Sequence, residues 1–259
     1  MSFLARAGRW SRERVEILNR LRGAEYPGKR SFKEALEEAV RDRGYALIIE
    51  YKRCSPSTGF ISYKDPEDYI HETSHYASAY SVLTEPRWFC GSLELIPVFS
   101  RVKPVLMKDF IIDRVQLEVA ASIGASGILL ITGLLDGRLG SLCREADRLG
   151  LDVLLESSNA SEALEAHSRC PNSIMGINAR DLNTLKVDLE ALPREIKLLR
   201  RTLGDNVIIV AESGVNTAED AIRVIRAGAN AVLIGTAVMK RPELLGEIHR
   251  KLGTVLGQQ

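Results

Sequence analysis

No stretch of this 259-residue chain reaches the roughly 20 consecutive apolar residues that a membrane-spanning helix needs. The N-terminus offers no apolar signal core either, because Arg6, Arg9, Arg12, Glu13 and Arg14 crowd it. With a formal net charge of only +1 and acids interleaved with bases, there is no basic tract of the kind that nucleic acid attracts. A soluble, cytoplasmic protein is expected, with neither nucleic acid nor membrane as partner. Cysteine is scarce: Cys54, Cys90, Cys143 and Cys170 are scattered without a Cys-x-x-Cys pair. That pattern favours reduced thiols over a disulfide framework or a zinc site. No Gly-x-Gly-x-x-Gly follows any apolar run, which counts against an open dinucleotide-binding sheet.

What is present is an asymmetry. The run Tyr45 to Ile49 ends in Glu50-Tyr51-Lys52, and Pro104 to Met107 ends in Lys108-Asp109-Phe110. Leu151 to Leu155 ends in Glu156, Ile174 to Ile177 in Asn178-Ala179-Arg180-Asp181, Val207 to Ala211 in Glu212-Ser213-Gly214, and Ala231 to Ile234 in Gly235-Thr236. Each run is followed at its C-terminal end by polar or glycine residues, where a (β/α) barrel keeps its active site. Strands are expected to begin near residues 46, 79, 104, 127, 152, 173, 207 and 230, with helices between them. Helical periodicity marks 113–123, 139–149, 161–167 and 217–227, the last introduced by Asn216-Thr217 as a cap. Eight such units predict an α/β fold, a single (β/α)8 TIM barrel over residues 1–259. Residues 1–44 form an N-terminal helical extension: a helix over 11–22, a linker over 23–30, and a second helix opened by a capping box at Ser31-Phe32-Lys33-Glu34. Both helices are expected to pack on the barrel and add to its site.

Strand alternation points Glu50 and Lys52 to one side and Tyr51 to the other. Lys52, Lys108 and Arg180, with Glu50, Glu156 and Glu212, would then interleave around one ring and offer matched acids and bases. One such pair is readily a stray salt bridge; six charges at equivalent positions are not. After the seventh and eighth strands, Ser213-Gly214 and Gly235-Thr236 suit phosphate, since glycine lets the backbone approach and the hydroxyls donate. The alternative is two ordinary glycine turns. Arg87-Trp88-Phe89-Cys90-Gly91 reads either as a loop for a flat substrate or, for Trp88, as a hydrophobic plug over the rim. His71-Glu72-Thr73-Ser74-His75 matches the His-Glu-x-x-His zinc pattern, but lies in the helix between the first two strands, far from the strand ends. His167 and His249 also fall in helices, which disfavours a Ser-His-Asp or Cys-His arrangement.

The segments Glu50-x-Lys52-x-x-Ser55-Pro56-Ser57, Ser81 to Glu85, Lys108-Asp109-Phe110, Gly176 to Leu182, Ala211 to Gly214 and Leu233 to Thr236 together resemble the indole-3-glycerol phosphate synthase family. The resemblance runs in order from about Ser31 to Pro242, and its Lys-Asp-Phe and Ser-Pro-Ser elements are specific to the family among phosphate-binding barrels. It implies a carboxy-lyase of tryptophan biosynthesis that cyclises 1-(2-carboxyphenylamino)-1-deoxyribulose 5-phosphate with loss of carbon dioxide and water. Lys108 would be the general acid, and Glu50, Lys52 and Glu156 would share the later acid and base steps. Asn178 and Arg180 would orient substrate, with Glu212 and Ser213 on the polar rim. Ser55, Gly214, Gly235 and Thr236 would cradle phosphate, and Pro56, Phe89, Phe110, Leu129 and Ile131 would wall the anthranilate ring. No metal or organic cofactor is implied, and the protein is expected as a monomer on a small phosphorylated substrate. Tyr51, Cys54, Cys90 and Ser157-Ser158-Asn159 depart from the family pattern, and the first 25 residues match it weakly. Two rivals share the fold: a phosphoribosylanthranilate isomerase, which would need a cysteine at the end of the first strand, and a catalytically inactive phosphate-binding barrel.

Overall fold

The computed structural model describes residues 2–19, 30–135 and 137–257. Ser2 accepts a hydrogen bond from the Ala5 N–H and so starts α1 (Phe3–Leu18), well before the start at residue 11 that sequence predicts. The expected end of this helix at 20–22 and the linker 23–29 lie outside the described residues. Ser31 caps α2 (Phe32–Arg43) by accepting from the Glu34 N–H, and Gly44 ends it in the left-handed conformation that glycine adopts freely.

From there strands and helices alternate. In chain order they are β1 (Ala46–Tyr51), a small hairpin β2 (Cys54–Ser55) and β3 (Gly59–Phe60), α3 (Pro66–Thr73), β4 (Ala79–Leu83), α4 (Pro86–Phe89), α5 (Leu95–Ser100), β5 (Val105–Lys108), α6 (Arg114–Ser122), β6 (Gly127–Ile131) and α7 (Leu139–Arg148). The second half comprises β7 (Asp152–Ser157), α8 (Ala160–His167), β8 (Ile174–Asn178), α9 (Leu192–Leu203), β9 (Ile209–Glu212), α10 (Ala218–Arg226), β10 (Ala231–Ile234), α11 (Thr236–Lys240) and α12 (Leu244–Leu256). The strands β1-β4-β5-β6-β7-β8-β9-β10 pair in parallel, and β10 returns to β1 to close the barrel. Apart from the short β2–β3 hairpin, the strands are those expected from the sequence, with starts displaced by no more than two residues. No helix among the described residues is long and apolar enough to cross a membrane.

Alternation along the strands sorts side chains into two cores. Leu47, Ile49 and Tyr51 of β1 face outward with Val105, Met107, Leu155 and Ile177 against the helices, and Tyr51 packs on Tyr69 and Phe99. Ala46, Ile48, Leu106, Leu129, Leu154, Val210 and Leu233 fill the barrel interior. The same inward parity carries Glu50, Lys108, Glu156, Asn178 and Glu212 to the C-terminal mouth.

The two N-terminal helices cover opposite ends, which corrects the expectation that both add to the site. Phe32 and Leu36 of α2 are fully buried beneath the interior core, and Ser31 and the Lys33 N–H bond Asp152 at the start of β7. This helix therefore plugs the N-terminal mouth. At the other end α1 lies over the strand termini, with Phe3 edge-on to Trp88 and Phe110, Trp10 donating to Glu85, and Arg14 paired with Asp109 at 2.7 Å.

The cysteines also differ from the reduced thiols expected: Cys54 is bonded to Cys90 and Cys143 to Cys170. Each pair is separated by 36 or 27 residues, about one strand-and-helix unit, so neighbouring units place distant positions side by side. Scatter in sequence is thus no sign of isolation in space.

Candidate active site

The mouth of the barrel is a cavity of about 400 Å3. Of the residues singled out from sequence, Glu50, Lys52, Ser55, Pro56, Phe89, Lys108, Phe110, Leu129, Ile131, Glu156, Asn178, Arg180, Ser213, Gly214, Gly235 and Thr236 all line it. Glu212 is set deeper, beneath Lys108, and meets the cavity through that lysine rather than directly.

Lys108, on β5, reaches across the barrel axis. Its Nζ lies 2.6 Å from Glu212 on β9, the diametrically opposite strand, and 3.4 Å from Glu156 on β7. Asn178 donates its amide to Glu156 at 2.9 Å and accepts the Arg180 N–H at 2.8 Å. On β1, Lys52 is paired with Glu50 at 2.6 Å. Three carboxylates, Glu50, Glu156 and Glu212, are thus at most 3% exposed with two ammonium groups and a guanidinium among them.

That crowding of buried charge sets the protonation states. Burial opposes charge on Glu50, yet Lys52, Lys108 and Arg180 outweigh it and hold its carboxyl below the usual range. Burial also opposes charge on Lys108, but Glu212, Glu156 and Glu50 overcome it and raise its pKa well above the ordinary lysine value. Glu212 is pushed up to about 8 by burial, with repulsion from Glu156 and Glu50 countering the pull of Lys108. At neutral pH the cluster therefore presents a fully protonated ammonium, flanked by one carboxyl that retains its proton.

Two glycines make room for these carboxylates. A Cβ on Gly235 would lie 2.3 Å from Glu50 Oε1 and 3.1 Å from Lys52 Nζ. A Cβ on Gly176 would lie 2.2 Å from Glu212 Oε1. The phosphate reading of Gly235 is thus joined by a second demand on the same position. Ser213 and Gly214 both have positive φ, 63° and 82°, and the backbone turns sharply at the end of β9. The Ser55 hydroxyl accepts the Thr58 N–H, which leaves its own proton free to donate.

Other elements of the site escape sequence reading. Phe3 lines the cavity from α1, and so do Leu182, Leu185, Val187 and Leu189 from the segment between β8 and α9. Arg180 and Val187 form a bridge there, and Arg180 donates to the Leu185 carbonyl. The apolar spacing in an otherwise polar stretch was the available signal. Asp109 and Glu85 support the wall: Asp109 accepts from Arg14, Thr84 and the Phe110 N–H. Glu85 caps α4 by accepting from the N–H groups of Arg87, Trp88 and Phe89. The Arg87–Cys90 segment is therefore a capped helical turn, not an open loop, and presents Phe89 to the cavity while Trp88 packs beneath α1. In the His-Glu-x-x-His segment α3 stops at Thr73, so His75 leaves the helical face of His71, and Glu72 is paired with Lys64.

Comparison with known proteins agrees with the geometry. A family model described as indole-3-glycerol phosphate synthase matches residues 9–251. The chain is 48% identical over 254 residues to an indole-3-glycerol phosphate synthase of Aeropyrum pernix, covering 97% of each. It is 42% identical over 212 residues to one of Pyrobaculum neutrophilum, covering 82% of this chain and 83% of that one. Among solved structures, a 3-hexulose-6-phosphate synthase is similar with a TM-score of 0.63 at 14% identity, covering 82% of this chain and 99% of that one. This last likeness is one of fold alone.

Proposed function

The chain belongs to the indole-3-glycerol phosphate synthase family, and on that premise we propose that its barrel mouth cyclises 1-(2-carboxyphenylamino)-1-deoxyribulose 5-phosphate to indole-3-glycerol phosphate. The observation that carries the assignment is the placement of Lys108: an ammonium facing the cavity and held across the axis by the buried Glu212, beside the apolar wall of Phe110, Leu129 and Ile131.

The chemistry follows from that placement. As the ring carbon bearing the carboxylate attacks the ribulose C2 carbonyl, negative charge grows on the carbonyl oxygen. Lys108 donates a proton there; the Glu156 and Glu50 carboxylates, with the hydrogen bond that Glu212 accepts, keep its ammonium form populated until substrate arrives. Loss of carbon dioxide then restores the aromatic ring. Departure of the hydroxyl requires a proton at oxygen and removal of the ring-nitrogen proton, steps shared among Glu50, Lys52 and Glu156. Asn178 and Arg180 orient the substrate. Ser55, Ser213, Gly214, Gly235 and Thr236 receive the phosphate, and Pro56, Phe89, Phe110, Leu129 and Ile131 hold the anthranilate ring out of water, which strengthens the charges inside.

The reading calls on no metal or organic cofactor, and takes the enzyme as a cytoplasmic monomer acting on a small phosphorylated substrate. Its disulfides fit a cytoplasm only of the kind found in hyperthermophiles, where intracellular disulfides persist. The isomerase alternative loses its reagent, because Cys54 is bonded to Cys90 and is no free thiol. Adding the carboxyphenylamino substrate and following the fluorescence of the indole ring formed tests the assignment; a purified, folded protein that yields no indole-3-glycerol phosphate would refute it.

A further inference from the structure

The Cys54–Cys90 disulfide joins two pieces of the cavity wall. Cys54 directly precedes Ser55 and Pro56, and Cys90 directly follows Phe89, all three of which face the cavity. The two anchors differ in firmness. Cys90 stands on a built base: Glu85 caps the turn with three hydrogen bonds, and the Gly91 N–H donates to the Glu85 carbonyl at 2.9 Å. A Cβ at Gly91 would lie 2.4 Å from the Leu83 carbonyl oxygen, so this backbone is seated directly on the end of β4. Cys54, by contrast, belongs to the connection between β1 and α3, whose tip is solvent-exposed from Ser57 to Phe60 and again at Tyr63.

We propose that the Cys54–Cys90 disulfide is a positioning clamp for the active site. It fixes the β2–β3 hairpin, in which Cys54 pairs with Phe60 and Ser55 with Gly59, and with it Ser55 and Pro56, against the base that carries Phe89. Binding groups held in place in advance need not be ordered when substrate arrives. The clamp acts on binding of the substrate assigned above, and rests on that reading. Cys143–Cys170 supplies the contrast: it ties α7 to the segment after α8 beside Asp152 and Ser173, at the N-terminal end of the barrel.

The test uses the full-length C143S/C170S variant, in which Cys54–Cys90 is the one remaining disulfide. Dithiothreitol delivers two electrons and two protons to that bond, leaving two thiols and its own cyclic disulfide. Before reduction, KM should equal that of the parent. After it, with two thiols titrated per chain, KM should rise by about tenfold or more while kcat stays within about threefold, and reoxidation should restore KM. Chymotryptic cleavage at Phe60 and Tyr63 should accelerate several-fold on reduction, a readout independent of turnover. Finding both thiols free before reduction overturns the clamp, and so does an unchanged KM after it. In a folded protein that makes no indole-3-glycerol phosphate, which would be the failure of the functional reading, an unchanged cleavage rate overturns the clamp separately.

Discussion

At the scale of single residues, the ion pairs at the mouth demand a choice between structural and chemical roles. Glu156 shares Lys108 with Glu212, which is the nearer partner. Glu156→Gln removes a charge that helps Glu212 hold its proton, so Glu212 can ionise and pair with Lys108, and the melting temperature should stay close to that of the parent. Turnover should nonetheless fall by about 10²-fold or more, the loss expected when an acid–base group is removed. Lys52 is different, since Glu50 is its ion-pair partner at 2.6 Å. Glu50→Gln should lose turnover to a similar degree and some stability as well. Full activity in a destabilised Glu50→Gln protein would leave the pair a purely structural one. Glu212 offers a pH signature. Its folded pKa of about 8 lies above that of an unfolded carboxyl, so the bound proton stabilises the fold fully at pH below the unfolded value, and that stabilisation disappears as pH rises through about 8. Glu212→Gln does not titrate, so its melting temperature relative to the parent should climb between pH 5 and pH 9. A difference that stays flat over that range would place the proton on another group. The parity that brings these charges together was legible in the sequence, because inward and outward positions alternate strictly along a strand. The glycine berths for Glu50 and Glu212 were not, since each is a contact between strands rather than within one.

At the scale of elements, what sequence conveyed depends on how local the causes are. Strand and helix positions follow from short-range apolar patterns and caps: Asp113 with Gln116 and Thr217 with Asp220 form reciprocal capping boxes where helices were expected. The placement of α1 and α2 at opposite ends rests instead on tertiary contacts of Phe3 and Phe32, and both helices show only an ordinary apolar stripe. The disulfides and the 182–189 wall escaped for the same reason. The tie of α1 to the mouth is open to test. Phe3 is 4% exposed, packs on Trp88 and Phe110, and lines the cavity. Phe3→Ala should cost about 3 kcal/mol of stability, at the low end for a buried aromatic, and should raise KM more than it lowers kcat. Calorimetry together with steady-state kinetics measures both, and an unchanged KM would make α1 a cover without a part in binding.

For the molecule as a whole, closure of eight strands explains why residues more than a hundred positions apart meet. Lys108 and Glu212 are 104 residues apart in sequence and 2.6 Å apart in space, because their strands stand on opposite sides of one ring. The barrel places the polar ends of its strands on one face, and α2 seals the other, so the chemistry has a single mouth. The central claim is that Lys108 protonates the substrate carbonyl oxygen at that mouth. The most direct measurement is formation of indole-3-glycerol phosphate from the carboxyphenylamino substrate by the purified chain and by Lys108→Ala, side by side, with folding of both verified by circular dichroism. The account predicts turnover by the parent and a fall in kcat of about 10²-fold or more in the variant, with KM little changed; a folded Lys108→Ala protein that turns over at close to the parental rate would contradict it.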